Sequence, residues 1–369
     1  MRKKNIAIIL TVLFAIAFIS GIIVSTYEIF PHPILKFIEH AFTNDTDVLY
    51  YQNDVNSLIH INSESSITKT RNDLTKFIWK QSIPPKNFPE HIENNIIDER
   101  YSDLQNLESI DKLVINMNYD IDSISYLFSP KNSTNELIIY HQGHKGDFIQ
   151  GKETIQYFLD KNYSVLTFSM PLLGMNNQPI IEHPEFGKIK IQSHNQLELL
   201  ENENFSPIRL FFEPVIVSLN YIEYQYDFNY IHMVGISGGG WTTTLIAALD
   251  DRIDNSFSVA GSYPMFLRSD PKNFGDYEQH HLELYQLANY LDLYVMASYG
   301  ENRKFVQIFN KSDPCCFDGD AFLEYEKQVQ QTVYGLGKGS FEIYLDETHT
   351  EHIISNYALE IIDNELMRN

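Results

Sequence analysis

The run IHMVGISGGGWTTTLIAAL, residues 231–249, constrains this chain more than any other segment. An apolar, strand-like stretch ends at Val234 and passes through Gly235-Ile236-Ser237-Gly238-Gly239 straight into small and aliphatic residues with helical character. Only a tight turn fits between the two elements. Glycines on both sides of Ser237 let strand and helix approach closely, and the turn exposes the serine hydroxyl at the C-terminal edge of a sheet, where open α/β sheets bind ligands. A phosphate-binding loop is the competing use of such glycines, but the Walker lysine and the dinucleotide Gly spacing are both missing.

The surroundings fit the same frame. Residues 112–117 (KLVINM) and 122–128 (DSISYLF) flank a short Asn/Asp turn and predict an antiparallel hairpin. Residues 137–140 (LIIY) read as a continuous apolar strand of the buried type. Further strands are expected at 164–168, 230–234, 256–259, 305–309 and 341–345, with helices at 152–161, 207–225 and 239–249. Alternating strands and helices predict a mostly parallel central sheet with helices on both faces.

From about residue 112 onward the elbow and the strand order resemble the α/β hydrolases, whose motifs are specific for fold and not for substrate. The resemblance implies a serine hydrolase with Ser237 as nucleophile, followed in chain order by an acid and a histidine at later strand ends. In FVQIFNKSDPCCF, Asp313 lies just past the strand at 305–309 and is the expected acid, with Asp318 and Asp320 as competitors. In FEIYLDETHTEHIISNYALEII, His352 precedes the terminal helix and is the expected base, with His349 as the alternate. The oxyanion donors implied are the backbone N–H groups of Gly238 and, from the loop His141-Gln142-Gly143-His144, of His144.

Such a triad needs no cofactor, and no metal is expected. His141, His144 and His183 are the histidines that raise the question, but no Cys or carboxylate spacing near them supports a metal site. The adjacent Cys315 and Cys316 are the chain's only cysteines, which excludes a disulfide framework and a Cys-rich zinc site. A strained vicinal disulfide and a pair of buried small apolar residues are the two readings of that pair.

Arg2, Lys3 and Lys4 precede an uncharged apolar run at 6–24, which at 1.5 Å per residue spans about 28 Å and is long enough to cross a hydrocarbon core. The positive flank stays in the cytoplasm. The expectation is therefore a single-pass, membrane-anchored protein with its catalytic domain extracytoplasmic, or a secreted one if the N-terminus is cleaved as a signal peptide. Residues 1–27 form that anchor, 28–110 a stalk and N-terminal extension with a helix at 72–80, and 111–369 the hydrolase domain. Insertions near 175–206 and 263–292 are placed over the active site, where they shape the substrate pocket or serve as covers. Asn-x-Ser/Thr sequons at Asn44, Asn132, Asn162, Asn204 and Asn310 are given no function in so Asn-rich a chain.

A formal charge of −22 with no basic stripe argues against nucleic-acid partners. The expected substrate is a small-molecule or glycan ester. A peptidase or amidase on the same triad is the enzymatic alternative, although peptidases of this fold often carry a large extra domain for which 369 residues leave little room. A noncatalytic binding protein that kept the fold is the third reading, and retention of Ser237, Asp313 and a well-placed histidine argues against it.

Overall fold

A computed structural model describes residues 54–367. The apolar run at 6–24 and the part of the expected stalk and extension at 28–53 lie outside the described residues. Among the described residues no helix is long and apolar enough to cross a membrane.

The first long helix, α1 (Glu64–Trp79), starts eight residues before the expected one. Ser63 and Ser66 form a reciprocal cap at its N-terminus, which fixes the start independently of any apolar pattern. Its buried positions are Ile67, Leu74, Thr75, Ile78 and Trp79, so its first two turns carry a single buried apolar residue in an otherwise polar sequence.

The main sheet has nine strands in the order β1-β2-β3-β5-β4-β8-β9-β10-β11. They are β1 (His91–Glu93), β2 (Leu107–Asn116), β3 (Asp122–Pro130), β4 (Glu136–His141), β5 (Ser164–Phe168), β8 (Tyr230–Ile236), β9 (Asn255–Val259), β10 (Lys304–Asn310) and β11 (Ser340–Asp346). A separate two-stranded ribbon is made by β6 (Ile180–His183) and β7 (Gly187–Lys190). The hairpin of β2 and β3 is antiparallel, and so is the join of β3 to β5. From β5 through β4, β8, β9 and β10 to β11 every neighbour is parallel.

Side-chain alternation sends consecutive residues to opposite cores. Leu137 and Ile139 of β4 pack on one face, Ile138 and Tyr140 on the other. In β10, Phe305 and Phe309 join the first core, Val306 and Ile308 the second. The second core is covered by α2 (Lys152–Asp160), through Ile155, Phe158 and Leu159. The first is covered by α3 (Glu213–Gln225), α4 (Gly238–Leu249) and α5 (Tyr290–Ser298). Helix α6 (Glu326–Leu336) adds Val329 and Val333 to the first core. Helix α7 (Asn356–Leu366) closes the second core with Ala358, Leu359, Ile362 and Leu366.

The described part of the expected extension is packed into the same compact unit as residues 111–367: β2 starts at Leu107, β1 pairs with it, and Tyr101 is fully buried in the second core. The second insertion ends before Tyr290, where α5 takes its place as a covering helix of the sheet.

Chain direction across the sheet reverses at β4. From there β5 lies to one side, and β8, β9, β10 and β11 follow in sequence on the other. Crevices open at such switch points beyond the C-terminal ends of the strands. The loop after β4 and the turn after β8 meet there.

Candidate active site

Ser237 joins β8 to α4 with φ 56° and ψ −124°, a backbone conformation that costs a non-glycine residue of order 1–3 kcal/mol and persists only where the surroundings enforce it. Its flanking glycines show what enforces it. A Cβ on Gly235 would lie 2.2 Å from the Gly239 carbonyl oxygen, and one on Gly239 would lie 2.0 Å from that of His141. Strand, turn, helix and the β4 loop are thus packed backbone to backbone, and Ser237 is lifted to the sheet edge, 8% exposed.

Asp313 follows β10 and His352 precedes α7, as the sequence placed them. The His352 Nδ1 lies 2.7 Å from the Asp313 Oδ2. That same oxygen accepts the Asn310 side-chain amide at 3.0 Å, while Oδ1 accepts the backbone N–H of Cys315 at 2.8 Å and of Cys316 at 3.4 Å. Burial pushes the Asp313 carboxyl up, but the His352 hydrogen bond and the other donors outweigh it and hold the group below its usual range. The loop carrying His352 is tied down by Lys145, whose Nζ donates to the His352 carbonyl at 3.1 Å.

The alternates are engaged elsewhere. His349 Nε2 lies 3.2 Å from Asp346 Oδ2, and its Nδ1 accepts the Glu351 N–H at 3.1 Å. Asp318 is paired with Lys272 at 2.8 Å. Both thiols are free, with Cys315 exposed and Cys316 buried. Their backbone N–H groups clamp the acid, a role that sequence reasoning missed.

His352 Nε2 is buried with no hydrogen-bond partner. It shares with Ser237 a cleft of about 150 Å³, also lined by Gln142, Gly143, Gln150 and Thr154. Catalytic hydrogen bonds are often unmade until a substrate is bound. Gly238 heads α4, so its N–H is one of the donors a helix leaves unpaired at its first turn. The His144 ring lies over that glycine, its Cε1 2.5 Å from where a Gly238 Cβ would stand.

The three histidines weighed for a metal do not meet. His141 is buried, 2.9 Å from the Gln142 carbonyl oxygen through Nδ1, and desolvation pulls it down to about 4. His183 sits in the β6–β7 ribbon and contacts the Leu199 carbonyl. His144 instead meets His194, Asp276 and Glu278, contributed by the two insertions. The sequence carried no signal for this group, since its members stand far apart in the chain.

These features define the class: the chain has the α/β-hydrolase fold. No protein-family model matches it and no curated protein matches it by sequence. Among solved structures it is similar to the acetyl xylan esterase from Paenibacillus sp. R4, at 16% identity and TM-score 0.56 over 85% of this chain and 98% of that one. It is also similar to acetyl xylan esterase 1 from Thermoanaerobacterium sp. JW/SL YS485, at 12% identity and TM-score 0.55 over 85% and 97%. The Pyrococcus furiosus esterase Pf2001 is a third, at 12% identity and TM-score 0.50 over 76% and 98%.

Proposed function

We propose that the protein is an extracytoplasmic serine hydrolase that cleaves a short-chain carboxylic ester, with Ser237, His352 and Asp313 as its triad. The observation that carries this reading is the 2.7 Å contact of His352 with Asp313 beside a cleft shared with a serine held in a strained turn.

In this reading His352 Nε2, the free edge of the imidazole, accepts the Ser237 proton as Oγ attacks the ester carbonyl carbon. Asp313 holds the tautomer with the proton on Nδ1 and stabilises the imidazolium that forms. The tetrahedral oxyanion is received by the backbone N–H groups of Gly238 and His144. Its collapse expels the alcohol, which takes the proton back from His352 and leaves Ser237 acylated. Water, deprotonated by the same imidazole, attacks the acyl-enzyme, and the carboxylic acid departs.

The cleft is smaller than the ~300–1,000 Å³ that drug-sized ligands occupy, which favours a short acyl group. Its polar lining by Gln142, Gln150, Glu153 and Thr154 suits a hydroxylated alcohol. The similarity to two acetyl xylan esterases agrees with an acetylated glycan, and that substrate is part of the proposal.

Anchoring through residues 6–24 is proposed from the basic residues and apolar run alone. Recovery in the membrane fraction, with the catalytic domain digested by protease added outside intact cells, is the expected result; recovery in the cytosol overturns it. For the chemistry, a fluorophosphonate probe should label Ser237 in the wild type and not in Ser237→Ala. A panel of acyl esters and aminoacyl amides should show turnover of short esters. Turnover of amides only would replace the esterase by a peptidase, and absence of labelling would favour a binding protein.

A further inference from the structure

The two insertions meet over the oxyanion loop, and four polar side chains from three separate segments converge where they meet. His144 comes from the loop after β4. His194 opens the short helix His194–Leu197 of the first insertion, and Asp276 and Glu278 flank the start of Tyr277–His280 in the second. His144 Nε2 lies 3.0 Å from Glu278 Oε1 and 3.6 Å from Asp276 Oδ2. His194 Nδ1 lies 3.5 Å from Asp276 Oδ2 and 3.6 Å from Glu278 Oε1. The two rings are tilted by 60° with centroids 5.0 Å apart, so their edges converge without stacking.

The hydrogen bonding leaves this group incomplete. His194 Nε2 lies 2.9 Å from the Pro171 carbonyl oxygen, which can only accept, so Nε2 carries a proton. In a neutral ring the lone pair of Nδ1 then points at two carboxylates. His194 is 3% exposed and Glu278 0% exposed, and neither His194 Nδ1 nor Glu278 Oε2 has a hydrogen-bond partner. Orphaned buried polar atoms are rare in folded proteins and call for an unseen partner. Two carboxylates facing each other and a bare imidazole nitrogen lack one thing in common, a cation.

The spacing selects which cation. Four ligands around zinc with bonds of 2.0–2.2 Å stand about 3.3–3.5 Å apart along the edges of a tetrahedron. Each of the four measured separations lies within a few tenths of an ångström of that range. Calcium takes six to eight oxygens and magnesium an octahedron of oxygens and waters, so two imidazoles suit neither. Two neutral histidines with two carboxylates also cancel the charge of a divalent ion. The Pro171 carbonyl already provides the outer-shell contact that orients a ligating imidazole.

We infer that His144, His194, Asp276 and Glu278 form a zinc site that ties both insertions to the oxyanion loop. Its position gives it a structural part: the His144 ring rests on Gly238, so zinc at Nε2 holds the His144 main chain beside the elbow. With all four positions taken by protein, no coordination site is left for substrate. The site does not rest on the esterase reading.

The test is direct titration. Full-length protein stripped with chelator and then supplied with Zn²⁺ alone should bind one equivalent per chain. It should do so equally in Ser237→Ala and in the Cys315→Ser/Cys316→Ser double variant, which removes the only thiols. Binding should be lost in His194→Gln and Glu278→Gln. Asp276, whose side chain is 42% exposed, provides a variant that spares the core: Asp276→Asn should fold and bind more weakly. Cobalt in place of zinc should give the visible spectrum of a tetrahedral site in the wild type. Failure of the wild type to retain zinc overturns the inference, because a proton on His194 Nδ1 would then complete the cluster. Zinc retained by His194→Gln and Glu278→Gln but lost from the thiol variant overturns it as well.

Discussion

Two buried polar clusters stand at the same edge of the same sheet, yet they are built in opposite ways. The first, Asp313 with His352, is made by residues just after β10 and just before α7, and both oxygens of the carboxylate accept from donors. The second, His144 with His194, Asp276 and Glu278, is gathered from two insertions and leaves His194 Nδ1 and Glu278 Oε2 without partners. The first also has one unpartnered atom, His352 Nε2, but that atom belongs to a residue lining the cleft shared with Ser237, whereas the unpartnered atoms of the second lie in a cluster of two imidazoles and two carboxylates.

Removing the proposed nucleophile should have the largest effect on the first cluster and none on the second. Ser237→Ala is expected to lower turnover of the best ester by about 10⁴–10⁶-fold, since triad members act as one unit. Its zinc stoichiometry should equal that of the wild type. If Ser237→Ala keeps more than a tenth of the activity, the first cluster is not the catalytic one.

The acid comes next. Asp313→Asn should lower kcat by about 10⁴-fold, because asparagine donates to Nδ1 and enforces the wrong imidazole tautomer. His349→Ala should leave kcat almost unchanged, as its ring lies near Asp346 and does not line the cleft shared by Ser237 and His352. A His349→Ala loss as large as that of His352→Ala would dissolve the contrast between the two histidines.

The second cluster should be felt in stability before activity. A ligand that binds only the folded state at a hundred times its Kd adds about 2.7 kcal/mol. For a chain of this size that raises the thermal midpoint by a few degrees. Zinc should produce this shift in the wild type and in the thiol-free variant and fail to produce it in Glu278→Gln. A shift that survives Glu278→Gln would move the ion elsewhere.

The same contrast explains what the sequence could disclose. Residues 231–249 announced the elbow because Gly235, Gly238 and Gly239 around Ser237 permit so tight a turn, and β2 to β5 and β8 to β11 were legible as apolar or alternating runs, whereas the short and largely polar β1, β6 and β7 were not. Asp313 and His352 were expected from their places after β10 and before α7, whereas the 2.7 Å contact between them is a matter of loop path and could not be read from either position. The cover was silent. His194 lies 50 positions after His144 and Asp276 another 82, in segments without periodicity, so no spacing could pair a histidine with its carboxylates. The early start of α1 was hidden likewise, since its first turns are polar and a serine cap sets the boundary.

The smallest expected effect lies in acid stability and again separates the clusters. Asp313 has a folded-state pKa below its ordinary value, with burial opposed and outweighed by the His352 hydrogen bond and the other donors. A depressed carboxylate binds protons more readily when unfolded, so stability rises with pH wherever the unfolded chain is the more protonated. The sign follows: the contribution is complete above the ordinary carboxylate pKa and is lost as pH falls through the folded value, from about pH 5 downwards. Asparagine at 313 has no proton to take up, so Asp313→Asn should show a shallower fall of unfolding midpoint on acidification than the wild type. The measurement is a set of denaturant midpoints across that range in the presence of chelator, which keeps any bound ion from contributing. Parallel curves for the two proteins would mean that Asp313 is not held ionised by His352, and the first cluster would lose the electrostatic support on which its catalytic role depends.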